Sequence, residues 1–118
     1  MKNNKQILIV ENEVIISHHL KMEFKQEGYE IKLCSTGEKA IEMAKHNPPD
    51  VVLMDIKLAG IMDGIEAAQK IKGEHDIPLI FITGYNENEL YEKAQKVDYL
   101  AYIEKPFSIK KLKAVIEK

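Results

Sequence analysis

Three short apolar runs constrain the fold of this chain most: Ile7-Leu8-Ile9-Val10, Val51-Val52-Leu53-Met54 and Ile80-Phe81-Ile82. None contains a polar residue, so none fits a strand with one face in water. Strands of this kind need cover on both sides, as in a parallel sheet with helices packed on each face.

The segments between the runs carry that cover. The pattern predicts strand, helix, strand, helix, five times over. Strand one spans roughly Gln6 to Glu11. Helix one follows from about Glu13 to Gln26, with Ile16, Leu20 and Phe24 on one face and Gly28 as its stop. Strand two is Tyr29 to Cys34. Ser35-Thr36-Gly37-Glu38 reads as a capping box for helix two, whose buried stripe is Ala40, Ile41 and Ala44 and whose end is Asn47-Pro48-Pro49. Strand three runs from Asp50 to Asp55, then a loop from Ile56 to Met62. Asp63-Gly64-Ile65-Glu66 caps helix three, which turns Ile65, Ala68 and Ile71 inward. Pro78 stands at the start of strand four, where its missing N–H does least harm. Helix four is expected over about Asn86 to Val97 (Leu90, Ala94, Val97 inward), and strand five over Tyr99 to Glu104. Helix five starts near Ser108 and buries Leu112, Val115 and Ile116.

The strand ends carry the chemistry. Asp55 closes the second run, Glu11 follows the first, Thr83 follows the third, and Lys105-Pro106 follows the fifth strand. Open α/β sheets bind ligands in the crevice beyond the carboxyl ends of their strands. Taken singly, Asp55 could be a cap or turn residue, Thr83 a β-former, and Lys105 a surface lysine. Two acids, a hydroxyl and an ammonium at successive strand ends instead suit phosphoryl chemistry with a divalent metal.

Composition excludes several other classes. The 118 residues make one domain with room for a real core. A net charge of -2 provides no basic footprint for nucleic acid and no polybasic membrane patch. No apolar run approaches the length of a membrane span, and no signal peptide precedes strand one. Cys34 is the single cysteine, so no internal disulfide forms, and it reads as a small buried hydrophobe. A cytoplasmic protein is expected. His18 and His19 are adjacent on helix one and lack metal-ligand spacing. Lys110, Lys111, Lys113 and Lys118 read as the solvated face of helix five.

In its order and spacing, the set Ile7-Leu8-Ile9-Val10-Glu11, Met54-Asp55-Ile56, Met62-Asp63-Gly64, Ile82-Thr83-Gly84 and Lys105-Pro106-Phe107 resembles the receiver domain of two-component response regulators. The likeness spans essentially the whole chain, residues 1–118. It implies a five-stranded parallel sheet in the order 2-1-3-4-5 with five flanking helices. It implies that Asp55 is a phosphoacceptor, loaded from a phosphohistidine on a sensor histidine kinase or histidine phosphotransfer protein. Glu11, Asn12, Asp55 and the backbone carbonyl of Lys57 would hold Mg2+. Thr83 would hydrogen-bond a phosphoryl oxygen, and Lys105 would pair with the phosphoryl group and, before transfer, with Asp55. Tyr102 matches the aromatic switch residue that responds to Thr83. The Lys105–Pro106 bond would be cis. The face of helix four, strand five and helix five would serve a homodimer or an output domain. Such a chain is a switch module rather than an enzyme, beyond its own phosphotransfer and dephosphorylation.

Two departures from the family pattern carry expectations of their own. Receivers usually have two adjacent acids after strand one, and here the pair is Glu11-Asn12. Asn12 keeps an oxygen but no charge, which predicts weaker Mg2+ binding and raises the alternative of a degenerate pseudo-receiver acting as a protein-binding scaffold. The loop after Asp55 lacks the usual proline, and Tyr85 is placed to shield a phosphoryl group from water. A dehalogenase-like phosphatase would need an Asp-x-Asp pair after strand one, and Glu11-Asn12-Glu13 lacks that nucleophile. The same three residues would repel the phosphate of a flavin carrier.

Overall fold

The computed structural model describes residues 5–84 and 88–117. Its order is β1 (Gln6–Val10), α1 (Val14–Gln26), β2 (Glu30–Cys34), α2 (Gly37–His46), β3 (Val51–Asp55), α3 (Gly64–Glu74), β4 (Leu79–Thr83), α4 (Asn88–Ala94), β5 (Ala101–Glu104) and α5 (Ile109–Ile116). The strands form one parallel sheet in the order β2-β1-β3-β4-β5, as expected.

Alternate residues of each central strand face opposite sides, and two cores result. Leu8, Val10, Val52, Met54 and Phe81 pack against Ala40 and Ala44 of α2, Ile65, Ala68 and Ile71 of α3, and Ala94 of α4. Ile7, Ile9, Val51, Leu53, Ile80 and Ile82 pack against Leu20 and Phe24 of α1 and Leu112 and Ile116 of α5. This is why those runs tolerate no polar residue. At one edge of the sheet, β2 exposes Glu30 and Lys32 and is only partly covered. Cys34, at its end, is half-buried, and burial pushes its thiol up to about 11. A largely protonated thiol fits a packing role.

Several boundaries shift for local reasons. Helix α1 begins one residue late, with Glu13 as an N-cap whose side chain makes no capping bond. It ends at Gln26, and Gly28 beyond it has φ +94° and lets Tyr29 N–H reach Phe24 O at 3.2 Å. The capping box expected at Ser35–Glu38 does not form. Thr36 is the N-cap, accepting from Lys39 N–H at 3.2 Å, while Glu38 turns away to accept from Met62 N–H at 3.2 Å. The box at Asp63–Glu66 does form, with Glu66 N–H donating to Asp63 Oδ1 at 2.8 Å. Strand β5 begins at Ala101 because Tyr99 N–H turns back to Val97 O. Helix α4 ends at Ala94, yet Val97 is still buried. Tyr85, Asn86, the side chain of Leu90, and Lys118 lie outside the described residues. Lys113 is not part of a free solvated face, for it binds Glu27 at 2.9 Å and Glu23 at 3.6 Å, tying α5 to α1. Among the described residues, no helix is long and apolar enough to cross a membrane.

Candidate phosphoacceptor site

Strand register builds the site. Val10 is level with Met54, Asp55 with Ile82, and Thr83 with Glu104. Glu11 therefore stands level with Asp55, Thr83 one residue beyond, and Lys105 one beyond that. Backbone bonds extend the ladder past the strands: Glu11 N–H to Cys34 O at 3.0 Å and Lys105 N–H to Thr83 O at 2.7 Å. The Lys105–Pro106 peptide bond is cis, as expected.

The side chains converge on one ammonium. Lys105 Nζ lies 2.9 Å from Glu11 Oε1, 2.9 Å from Glu13 Oε1 and 3.2 Å from Asp55 Oδ2. Glu11, Asp55 and Thr83 are buried. The other oxygen of each buried acid is held by backbone: Asp55 Oδ1 accepts from Lys57 N–H at 3.3 Å, and Glu11 Oε2 from Glu13 N–H at 3.1 Å. Glu11 Oε1 is buried and, although Lys105 is close, has no partner in hydrogen-bond geometry.

Burial and the neighbouring Glu11 push the Asp55 carboxyl up to about 7, against the opposing pull of Lys105. Burial acts to lower the Lys105 ammonium. The contacts with Glu13 and Glu11 and the charges of Asp55 and Glu11 outweigh it, so Lys105 is raised and stays charged.

Oxygen ligands from Glu11, Glu13 and Asp55 lie within 4.8 Å of one another. Three carboxylates and one ammonium sum to -2, the charge that one divalent cation cancels. Hard oxygen donors and that charge deficit fit magnesium. Of the sequence-expected ligands, Glu11 and Asp55 meet here and the backbone of Lys57 borders Asp55. Asn12 is exposed. Sequence reasoning passed over Glu13. The signal was available in charge alone, since Glu13 is the next acid after the uncharged Asn12.

Tyr102 sits on β5 with its hydroxyl buried and facing Thr83. Burial raises its phenol, and the Thr83 contact offsets part of that. Its ring is held edge-on by Tyr91 of α4, with centroids 5.1 Å apart and planes at 89°, and touches Phe81 and Tyr99. The expected switch pair is thus adjacent, with the ring turned inward.

A flavodoxin-like sheet whose carboxyl edge carries this acidic, lysine-bridged site defines a narrow class of α/β domain. Residues 7–117 match the response regulator receiver domain, and the chain belongs to that family. It is 37% identical over 114 residues to the transcriptional regulatory protein PdtaR of Mycobacterium tuberculosis, covering 96% of this chain and 55% of that protein. The chain therefore spans about half the length of that relative. It is 32% identical to sporulation initiation phosphotransferase F of Bacillus subtilis, covering 98% and 93% of the two chains. Among solved structures, it resembles a CheY-like receiver domain from Methanospirillum hungatei (TM-score 0.92, 28% identity, 98% and 92% covered). It also resembles the receiver domain of a modulated diguanylate cyclase from Desulfovibrio desulfuricans (TM-score 0.91, 31% identity, 98% and 92% covered).

Proposed function

We propose that the chain is a phosphorylation-dependent switch of a two-component system and that Asp55 is its phosphoacceptor. The observation that carries this reading is the buried Asp55 carboxylate facing Lys105 Nζ at 3.2 Å beside a second buried acid. An Asp55 oxygen forms a bond to phosphorus as the phosphorus–nitrogen bond of a phosphohistidine breaks, and the released imidazole nitrogen takes up a proton. Glu11, Asp55 and the Lys57 carbonyl, with Asn12 at the rim, would hold magnesium, which would supply positive charge to offset that of the incoming phosphoryl group. Lys105 exchanges Asp55 for a phosphoryl oxygen, and Thr83 donates its hydroxyl to another. Tyr102 follows Thr83 and carries the change to the face of α4, β5 and α5.

The partner for loading is a sensor histidine kinase or histidine phosphotransfer protein in the cytoplasm. A groove of about 430 Å³ beside Lys105, walled by Ile15, Phe107 and Ile109, suits an apolar helix presenting the histidine. The resemblance to a sporulation phosphotransferase supports a relay role. The α4–β5–α5 face, where Tyr91 is exposed, suits a second copy or an output domain. The chain acts as phosphoacceptor, with no separate substrate to turn over.

Intact-mass measurement after incubation with acetyl phosphate tests this, with and without magnesium, on wild type and Asp55→Ala. A magnesium-dependent phosphate adduct on wild type alone is expected. Because Asn12 replaces an acid, a binding scaffold is the second reading. Failure with acetyl phosphate, a phosphohistidine donor and beryllofluoride alike would overturn the phosphoacceptor reading in favour of the scaffold.

A further inference from the structure

We propose that Glu13 is the third carboxylate of the cation site, supplying the charge that Asn12 omits. The proposal rests on the receiver reading above and concerns how this chain completes its site. Glu13 occupies the N-cap of α1, where an acidic side chain normally folds onto the first N–H groups of its helix. It makes no such bond. Its Oε1 instead reaches 2.9 Å from Lys105 Nζ, and its ligand oxygen lies within 4.8 Å of those of Glu11 and Asp55.

Its backbone acts on the same centre. Glu13 N–H holds Glu11 Oε2, which leaves Glu11 Oε1 aimed at the cluster. That oxygen is buried and faces Lys105 Nζ at 2.9 Å, an ion pair without hydrogen-bond geometry. Lys105 Nζ lies amid the three carboxylates and stands in for part of that charge. A cation entering there competes with Lys105 for Glu11 and Asp55. Glu13, more than half exposed at its side chain, keeps the total at three carboxylates whichever cation is held. Asn12 is exposed and neutral, so its replacement by an acid adds a fourth charge to a site that already has its complement.

Isothermal titration of magnesium into the whole chain tests this with wild type, Glu13→Gln, Asn12→Asp and the double variant. Glu13→Gln should bind about tenfold more weakly, the effect of one carboxylate at roughly 4 Å in partly solvated surroundings. Asn12→Asp alone should change affinity by less than about threefold, and in the Glu13→Gln background should restore most of the loss. A role exercised only through Lys105 is separated by repeating the pair in Lys105→Met. Loss on Glu13→Gln persists there if Glu13 belongs to the cation site and vanishes if it merely anchors the lysine. Wild type that binds magnesium no better than Glu13→Gln overturns the proposal while leaving the receiver reading intact. Wild type that binds no magnesium overturns both.

Discussion

Lys105 Nζ lies 3.2 Å from Asp55 Oδ2 across 50 positions of sequence, and the same ammonium contacts Glu11 and Glu13. Removing it leaves two buried carboxylates side by side. Breaking a buried ion pair by deleting one partner costs about 3 kcal/mol or more. Lys105→Met should therefore lower the stability of the magnesium-free protein at pH 8 by about that amount. Magnesium should restore more stability to this variant than it adds to wild type. Urea unfolding with chelator or with magnesium reads both, and equal stabilities of the two proteins in chelator would refute the assignment.

The Asp55 carboxyl titrates near 7 when folded, above the ordinary carboxylate value, because of burial and Glu11. The folded protein thus binds a proton that the unfolded chain has already lost. That contribution is complete below about pH 4 and disappears as pH rises through about 7. Lys105, held charged, adds no slope in this window. In chelator, the stability of wild type relative to Asp55→Asn should fall between about pH 4.5 and about pH 8. Parallel thermal-melting curves for the two proteins across that range would contradict a raised Asp55 carboxyl in the folded state.

Gly64 and Gly73 belong to one helix and should respond oppositely to the same change. A Cβ on Gly64 would collide with the Asp55 carbonyl and come within 2.8 Å of Ile56 Cα, backbone that cannot yield without moving the acceptor strand. Gly64 N–H also bonds Ile56 O at 2.7 Å. Gly73 is exposed, and its Cβ would meet nothing within 4 Å. Gly64→Ala should destabilise by about 2–3 kcal/mol. Gly73→Ala should stabilise by about 0.5–1 kcal/mol through helix propensity. Denaturant midpoints check both, and a neutral Gly64→Ala would show that α3 does not press on the Asp55 backbone.

These relationships explain what could be read from sequence alone. The unbroken runs at β1, β3 and β4 announce two-sided burial, and a parallel sheet places every strand end on one edge. Glu11, Asp55, Thr83 and Lys105 were legible for that reason. Glu13 is harder to read, because its position just before α1 suits an ordinary cap and only its charge, next after the neutral Asn12, marks it. Glu38 was misread for a related reason. Ser35-Thr36-Gly37-Glu38 satisfies a local capping pattern, but a distant backbone N–H competes for the same carboxylate. Local pattern decides such residues only where no tertiary donor is within reach. Lys113 shows the same effect, since its partners Glu23 and Glu27 lie in and just after α1.

Glu38 yields a further prediction about the loop that carries Lys57. Its Oε1 accepts from Met62 N–H at 3.2 Å, and Ala59 forms a parallel bridge with Thr36 just before α2. The loop between β3 and α3 is thereby fastened to the start of α2 at two points. An amide oxygen can accept the same bond, so Glu38→Gln should behave much like wild type, while Glu38→Ala loses about 1 kcal/mol. Amide hydrogen exchange at Met62 should speed up in Glu38→Ala and stay slow in Glu38→Gln. Because Lys57 opens the same loop and its N–H steadies Asp55 Oδ1, magnesium affinity should fall a few-fold, roughly the same free energy, in Glu38→Ala only. Unchanged Met62 exchange in Glu38→Ala would mean that the bridge at Thr36 and Ala59 holds the loop by itself.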